Sequence, residues 1–394
     1  MKKSTYKSKH SAKKSSKINL LTVTRIICAI QLLILVGSLT YVSFLHLLPI
    51  KYLVILALLI VLVTVWHVLL IEIKTKKNTL KIISIVLSIV VASVTMFGNV
   101  LIGTVHNSFI DLPEVTNEGV EAEKTDVTKN PFLVYLSGMD NTSSANAIAE
   151  KGLSDVNMVV AVHPKTKKIL MVNIPRDYYL PLEGNSNKMD KLTHAGNYGV
   201  ACSMDTLEKL FDIKFNYYVK VNFNSVVDIV DALGGVTVDS EFAFSSPNSL
   251  SGETYNFKVG ENKLNGDSAL AFARERSSFA GGDRQRGIHQ QKIISAIFDK
   301  AISPSLLNPA KVKDLLGAIT KNMKTNISSE EITKLVQMQL NDMSGWDIES
   351  ISVDGTGASK PCYATGGTVL SVMIPNLETV NAAKSQIDAV FSAK

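Results

Sequence analysis

The sequence predicts an α/β protein with a mixed central β-sheet flanked by helices, preceded by three transmembrane helices. Three observations carry this expectation. The first quarter holds three apolar runs of membrane-crossing length, β-like and helical runs alternate from Pro131 onward, and the charge balance changes sign between these two parts. Residues 1 to 81 carry thirteen Lys and Arg against Glu72 alone, a net of +12, whereas the whole chain carries +6, which leaves −6 for residues 82 to 394. The positive charge thus belongs to the membrane region. A nucleic-acid binder needs its surplus on the folded surface, where many phosphate contacts release counterions, so no nucleic-acid partner is expected.

The apolar runs are Ile26 to Leu48, Tyr52 to Ile71 and Ile82 to Val105, each about the twenty residues needed to cross the hydrocarbon core. A secretory leader would have a shorter apolar region and a small-residue cleavage site. Lys2, Lys3, Lys7, Lys9, Lys13, Lys14 and Lys17 precede the first run, and Lys74, Lys76, Lys77 and Lys81 separate the second from the third. Only His46 and Lys51 lie near the turn between the first two. The positive-inside rule then places the basic tail, residues 1–25, in the cytoplasm beside anionic membrane lipid, makes a hairpin around Pro49, and sends everything after Val105 outside the cell membrane.

Residues 106–130 are polar and acidic with little periodicity, and read as an extracellular stalk. Beyond them Phe132 to Leu136, Asn157 to Val162, Ile169 to Ile174, Tyr217 to Val221 and Val236 to Val238 read as strands, several of them continuous apolar runs of the doubly buried kind. Ser203 to Phe211, Ser225 to Leu233, Gly266 to Ala273, Arg284 to Ile302, Ser329 to Leu340 and Leu377 to Phe391 read as helices. Strands alternating with helices imply a sheet covered by helices. Cys28 lies in a span and reads as a small apolar packer. Cys202 and Cys362 are both exported and could form one disulfide in an oxidising exterior, although spacing does not establish proximity. Neither has a Cys-x-x-Cys or His cluster beside it to suggest a metal.

The chemistry concentrates in Phe272-Ala-Arg-Glu-Arg276 and Gly281-Gly-Asp-Arg-Gln-Arg-Gly-Ile-His-Gln-Gln291. Guanidinium is a permanently charged planar fork that matches phosphate oxygens two at a time, so converging arginines point to phosphate recognition. Asp283 is a suitable N-cap, yet Arg284 and Arg286 then fall in the first turn, where the helix dipole disfavours cations. A phosphate at that terminus would turn the conflict into a binding site. Arg286, Gln290, Ile293 and Ile297 share one face of this helix, polar at one end and apolar at the other. The apolar end suits either the core or a lipid tail. Arg274 and Arg276 point the same way if the chain there is extended, with Glu275 opposite. Upstream, Asp140 and Asp155 sit at strand ends, where together they could hold magnesium. Asn173-Ile-Pro-Arg176-Asp177 presents an arginine and a carboxylate past a strand, and Lys188, Lys191 and His194 follow in a loop.

At these residues the chain resembles the LytR-CpsA-Psr family of membrane-anchored cell-wall proteins. Ser137-Gly-Met-Asp140, Ser154-Asp155, Ile174-Pro-Arg176-Asp177, Lys191-Leu-Thr-His-Ala-Gly196, Phe272-Ala-Arg-Glu-Arg276 and Gly282-Asp-Arg-Gln-Arg-Gly287 with Gln290 recur in order over residues 131–303. The resemblance implies a catalytic domain over residues 131–303, with 304–394 its C-terminal part, and with three spans it suggests a capsule or exopolysaccharide-type member. It implies a phosphotransferase that moves a glycan with its sugar-linked phosphate from a polyprenyl diphosphate carrier onto peptidoglycan. It also implies Mg2+ (or Mn2+) held by Asp140 and Asp155, and a diphosphate gripped by Arg176, Lys191, Arg274, Arg276, Arg286 and Gln290 with Asp283 beside them. Asp177 and Asp283 are both candidates for the base. The chain departs from many relatives in having Arg284-Gln285 where they have an aromatic-Gly pair, and in having a short stalk where some three-span members carry an accessory domain. Two other classes use the same grip: a membrane-bound regulator that senses lipid-linked intermediates without turnover, and a pyrophosphatase that releases the glycan to water.

Overall fold

The computed structural model describes residues 20–46, 48–72, 78–110, 120–139, 151–185, 187–247, 251–280, 282–303, 311, 314–315, 317–319, 323–342 and 344–393. It divides into two compact units, Met1–Val100 and Leu101–Lys394.

In the first unit the predicted spans appear as α1 (Leu20–Phe44), α2 (Ile50–Glu72) and α3 (Thr79–Ile110), all long and apolar enough to cross a membrane. α1 begins at Leu20 rather than Ile26 because its first turn bonds onward, the Thr24 hydroxyl donating to Leu20 O at 2.9 Å. It stops at Phe44, short of the expected Leu48, where His46 adopts a positive φ of 50° ahead of Pro49. The bundle is inverted relative to a water-soluble protein. Leu33 is 72% exposed and Phe44 79%, as hydrocarbon surroundings permit. Polar groups meet between helices: Cys28 Sγ lies 3.6 Å from Ser88 Oγ, Ser88 Oγ lies 3.4 Å from His67 Nε2, and the Ser38 hydroxyl donates to Asn99 Oδ1 at 2.6 Å. Such small polar side chains allow close helix approach and hold the helices together.

The exported unit is organised on one mixed sheet. Its strands are β1 (Phe132–Met139), β2 (Ser154–His163), β3 (Lys168–Asn173), a hairpin of β4 (Tyr179–Leu182) and β5 (Lys188–Lys191), β6 (Tyr217–Asn222), β7 (Val236–Ser240), β8 (Phe244–Pro247), β9 (Thr254–Phe257), β10 (Gly260–Leu264), β11 (Met323–Thr325), β12 (Asp347–Ser352), and a hairpin of β13 (Gly355–Pro361) and β14 (Val369–Pro375). The central sheet runs β11-β6-β1-β2-β3-β12. β1 is parallel to β6 and β3 to β12, while β2 is antiparallel to both β1 and β3.

The continuous apolar runs follow from burial on both faces. Leu133, Tyr135, Val159, Ala161, Leu170 and Val172 enter one core cluster. Their strand neighbours Phe132, Val134, Met158, Val160, Ile169 and Met171 enter another. The first face is covered by α4 (Leu192–Ala195), α5 (Val200–Phe211) and the C-terminal helix, here α10 (Leu377–Ser392). The second receives Ile294 of α8 (Asp283–Ala301) and Leu335 of α9 (Ser329–Asp342). A third cluster joins α6 (Phe223–Ala232), α7 (Gly266–Arg274), α8 and strands β7 to β10, and Ile293 is part of it at 2% exposed. The apolar end of the α8 face is therefore core. The stretch expected as a stalk continues α3 to Ile110, and its described remainder packs against the domain: Val127 is 1% exposed and Glu123 N donates to Asn216 O at 3.2 Å.

Candidate active site

Four strands of like direction, β1, β3, β6 and β12, end at one edge of the sheet, where β2 begins. Sheets of this class place ligands at such an edge. Asp155 opens β2 there, and Arg176 stands just past β3 with its Nη1 2.6 Å from Asp155 Oδ1. The Pro175 turn fixes this corner, since Tyr178 N donates to Pro175 O at 3.1 Å. The Lys191 loop is stitched onto the same corner by backbone bonds, Thr193 N to Arg176 O at 2.9 Å and Leu192 N to Tyr178 O at 2.8 Å. That stitching brings Lys191 Nζ to 2.6 Å from Asp177 Oδ1. Gly196 closes the loop against the start of β2. A Cβ there would stand 2.3 Å from Gly152 O, so only glycine permits the approach.

Helix α8 delivers the second half. Its N-cap is Gly282, at φ +45°, and Asp283 is its first residue, which corrects the expected Asp283 cap. The left-handed backbone that turns the chain into the helix favours glycine at the cap position. Of Asp283 the backbone alone is described, and Asp140 and Gly281 lie outside the described residues. α8 crosses the end of β3 at close range: a Cβ on Gly287 would lie 2.4 Å from Asn173 Nδ2. Gln291 Nε2 donates to Ile351 O at 2.7 Å and Met171 O at 3.3 Å, which pins the helix over β3 and β12. Arg286 and Gln290, one turn apart, are both buried beside this crossing, while Arg284 reaches out to Asp354 at 2.9 Å.

The first arginine motif joins through α7. His289 Nδ1 lies 3.2 Å from Phe272 O, and the two rings lie 4.4 Å apart, so the end of α7 rests on α8. Burial drives His289 down to about 4, against the pull of its bond to Phe272. The ring is thus neutral, with Nδ1–H donating to Phe272 O and Nε2 accepting from Gln285 at 3.1 Å. After α7 ends at Arg274 the chain extends, and Glu275 turns inward, 5% exposed, while Arg274 is half-buried and Arg276 exposed. Burial pushes the Glu275 carboxyl up, but hydrogen bonds from Ser278 N and from the hydroxyls of Ser246, Ser277 and Ser278 outweigh it and hold the group below its ordinary value. Arg274 is the last residue of α7 and not extended as the alternation requires, and what the structure shows is a buried Glu275 between two more exposed arginines.

Asp155, Arg176, Asp177 and Lys191 are joined by direct contacts, and the Asn173–Gly287 crossing brings Arg286 and Gln290 to the same edge. A profile of the LytR_cpsA_psr family matches residues 103–386. The chain belongs to this family. Among similar proteins, the polyisoprenyl-teichoic acid–peptidoglycan teichoic acid transferase TagU of Bacillus licheniformis is 33% identical over 280 residues, covering 70% of this chain and 83% of its own. TagU of Bacillus subtilis is 34% identical over 260 residues, covering 66% and 74%. Among solved structures, B. subtilis TagV superposes with a TM-score of 0.55 at 28% identity over 68% of this chain and 99% of its own. TagT bound to LIIa-WTA superposes with a TM-score of 0.54 at 26% identity over 71% and 100%. The LytR_cpsA_psr match runs past residue 303, where the motifs end, because β11, β12 and α10 complete the same sheet and core. With its three apolar helices, this member of the family is a multi-pass membrane protein whose larger domain lies outside.

Two groupings escaped sequence reasoning. Asp190, His194 and Cys362 are all buried and their ligand atoms lie within 4.8 Å of one another, a set that could hold a divalent metal. Its S, N and O donors suit a transition ion better than magnesium. As it stands, the set is also a self-contained hydrogen-bonded knot. Asp190 Oδ1 lies 2.5 Å from His194 Nδ1 and accepts from Lys191 N, and Oδ2 accepts from Ala364 N at 2.6 Å. Cys202 and Cys362 are both free thiols, which corrects the expected disulfide. Each is committed elsewhere: Cys202 faces the core from α5, where burial pushes its thiol up to about 11, and Cys362 sits against the Asp190 knot. The second missed group is Asp354, the partner of Arg284 just past β12. No local spacing signals either grouping, because each joins chain segments far apart in sequence.

Proposed function

We propose that this protein transfers a glycan-1-phosphate from a polyprenyl diphosphate carrier to a peptidoglycan hydroxyl at the sheet edge where α8 crosses β3. The reading is supported by that crossing, where Gly287 packs on Asn173, three residues before Arg176, and where Arg286 and Gln290 are both buried. The acceptor oxygen attacks the sugar-bearing phosphorus, the bond to the bridging oxygen breaks, and polyprenyl phosphate leaves. Charge neutralisation and in-line placement are then the main catalytic tasks. Arg176, Lys191, Arg274, Arg276, Arg286 and Gln290 hold the diphosphate, with the free N–H groups of the α8 terminus acting in the same direction. Asp177 or Asp283 takes the hydroxyl proton. Asp155 and Asp140 are the residues that would hold Mg2+ (or Mn2+), which would supply further positive charge at the diphosphate. Arg176 is paired with Asp155, and on donor binding Arg176 would exchange that carboxylate for phosphate oxygens.

TagU carries teichoic acid in its name, and TagT was solved bound to LIIa-WTA. The three-span anchor leads us to propose a capsule or exopolysaccharide glycan as the donor here, with other wall polymers ending in the same diphosphate. The test supplies the full-length protein in lipid nanodiscs with magnesium, peptidoglycan, and capsule-type or teichoic-type donors. Glycan phosphate attached to peptidoglycan, lost in Arg274→Ala and Asp155→Ala, is the expected result. Release of free glycan phosphate would make the protein a pyrophosphatase, and tight donor binding without product would make it a sensor.

A further inference from the structure

Within the membrane bundle, α1 and α2 enclose a cavity of about 250 Å³ whose lining includes Arg25, Cys28, Gln31, Leu35, Thr64 and His67. Most of its polar groups are accounted for locally. Thr64 donates to Ile60 O at 2.7 Å, Cys28 lies 3.6 Å from Ser88, and His67 Nε2 lies 3.4 Å from the same hydroxyl. Gln31 differs. It is 2% exposed, and among the described residues neither its Nε2 nor its Oε1 makes a hydrogen bond. A carboxamide held in hydrocarbon without partners is costly, so this side chain points to a polar occupant.

The position of the cavity narrows the chemistry. By the positive-inside rule its lining segments, the first half of α1 and the second half of α2, lie on the cytoplasmic side. Arg25 is nearer that surface, and Gln31 is six residues deeper, about 9 Å at 1.5 Å per residue. Leu32, Leu35 and Val63 continue the wall. A fitting ligand therefore has an anion near the surface, a hydrogen-bond acceptor below it, and hydrocarbon beyond. We propose that this cavity is a binding site for an anionic diacyl glycerophospholipid of the inner leaflet, with its phosphate toward Arg25 and an ester carbonyl accepting from Gln31 Nε2. A polyprenyl phosphate carries no acceptor below its phosphate and would leave the amide unpartnered.

The ester is the testable atom group. Full-length protein is purified, delipidated in mild detergent and titrated with diester phosphatidylglycerol, its dialkyl ether analogue and a polyprenyl phosphate, with retained lipid read by native mass spectrometry and stability by thermal shift. The diester lipid is expected to bind roughly tenfold more tightly than either of the others, one hydrogen bond's worth of discrimination. Gln31→Leu should erase that preference while remaining helical and monodisperse, and Arg25→Gln should weaken both phosphatidylglycerols alike. Equal binding of diester and ether lipids overturns the proposal. So does a wild-type dimer that Gln31→Leu dissociates, because a second copy would then satisfy the amide. No retained lipid, with Gln31→Leu simply more heat-stable, would leave water as the occupant and overturn it too. If Gln31→Leu does not fold, the wild-type comparison of ester with ether decides alone.

Discussion

The two units differ in the kind of polar group they bury and in how many partners hold it. In the exported unit the buried carboxylates are tied into knots: Asp190 takes three hydrogen bonds, two from Lys191 and His194 in its own segment and one from distant Ala364 N, and Glu331 accepts from the Tyr217 hydroxyl and from Ser328 N and Oγ. In the membrane bundle the contacts are between neutral side chains, a single one from Ser38 to Asn99 and a short chain through Cys28, Ser88 and His67, and Gln31 has none among the described residues. The difference follows from the surroundings. A water-soluble unit competes with solvent for every polar group it buries, so its buried carboxylates are held by several partners each, although single atoms such as Thr166 Oγ1 and Asn326 Nδ2 make no hydrogen bond among the described residues. In lipid the separated helices also find partners, so each interhelical bond adds little.

Four measurements would break or sharpen that contrast. The largest effect is expected for Asp190→Ala, which strands the His194 ring and Ala364 N. Chemical denaturation should show a loss of about 2–6 kcal/mol, since two buried donors are stranded at about 1–3 kcal/mol each. Tyr217→Phe should cost about 1–3 kcal/mol, because Glu331 then loses one of its donors. A third measurement follows pH. Free imidazole titrates near 6.5 and folded His289 near 4, so between these values the unfolded chain binds a proton that the folded chain refuses. Stability should fall as pH drops through that window, with a slope approaching about one proton, and His289→Gln should flatten it. Glu275 adds a further loss below its unfolded value of 4.5, since its folded value is depressed. The smallest effect, about 0.6 kcal/mol by unfolding in bicelles, is expected for Ser38→Ala. A loss as large as that of Asp190→Ala would dissolve the contrast.

What was legible in the sequence was whatever repeats locally. β1, β2 and β3 announced themselves as apolar runs because both of their faces are buried. β12, Asp-Ile-Glu-Ser-Ile-Ser, escaped because it is an edge strand with much of its length exposed. The arginine motifs were legible because guanidinium clusters are rare without an anion, and the Asp155–Arg176 pairing shows that two separately read motifs share one corner. The start of α8 misled because Asp283 looks like a cap while the turn is made by Gly282. The Asp190–His194–Cys362 group was illegible, since only the folded hairpin of β13 and β14 carries Cys362 to a loop far upstream.

The arginine helix lies across β3 and β12, and β12 is supplied by residues 347–352. During export the chain thus presents every residue proposed to grip phosphate before β12, one of the two strands beneath α8, has emerged. A chain cut short after residue 303 would hold those residues with only β3 of the two strands beneath the helix. Activity at the membrane is in this way reserved for molecules whose synthesis has run nearly to completion.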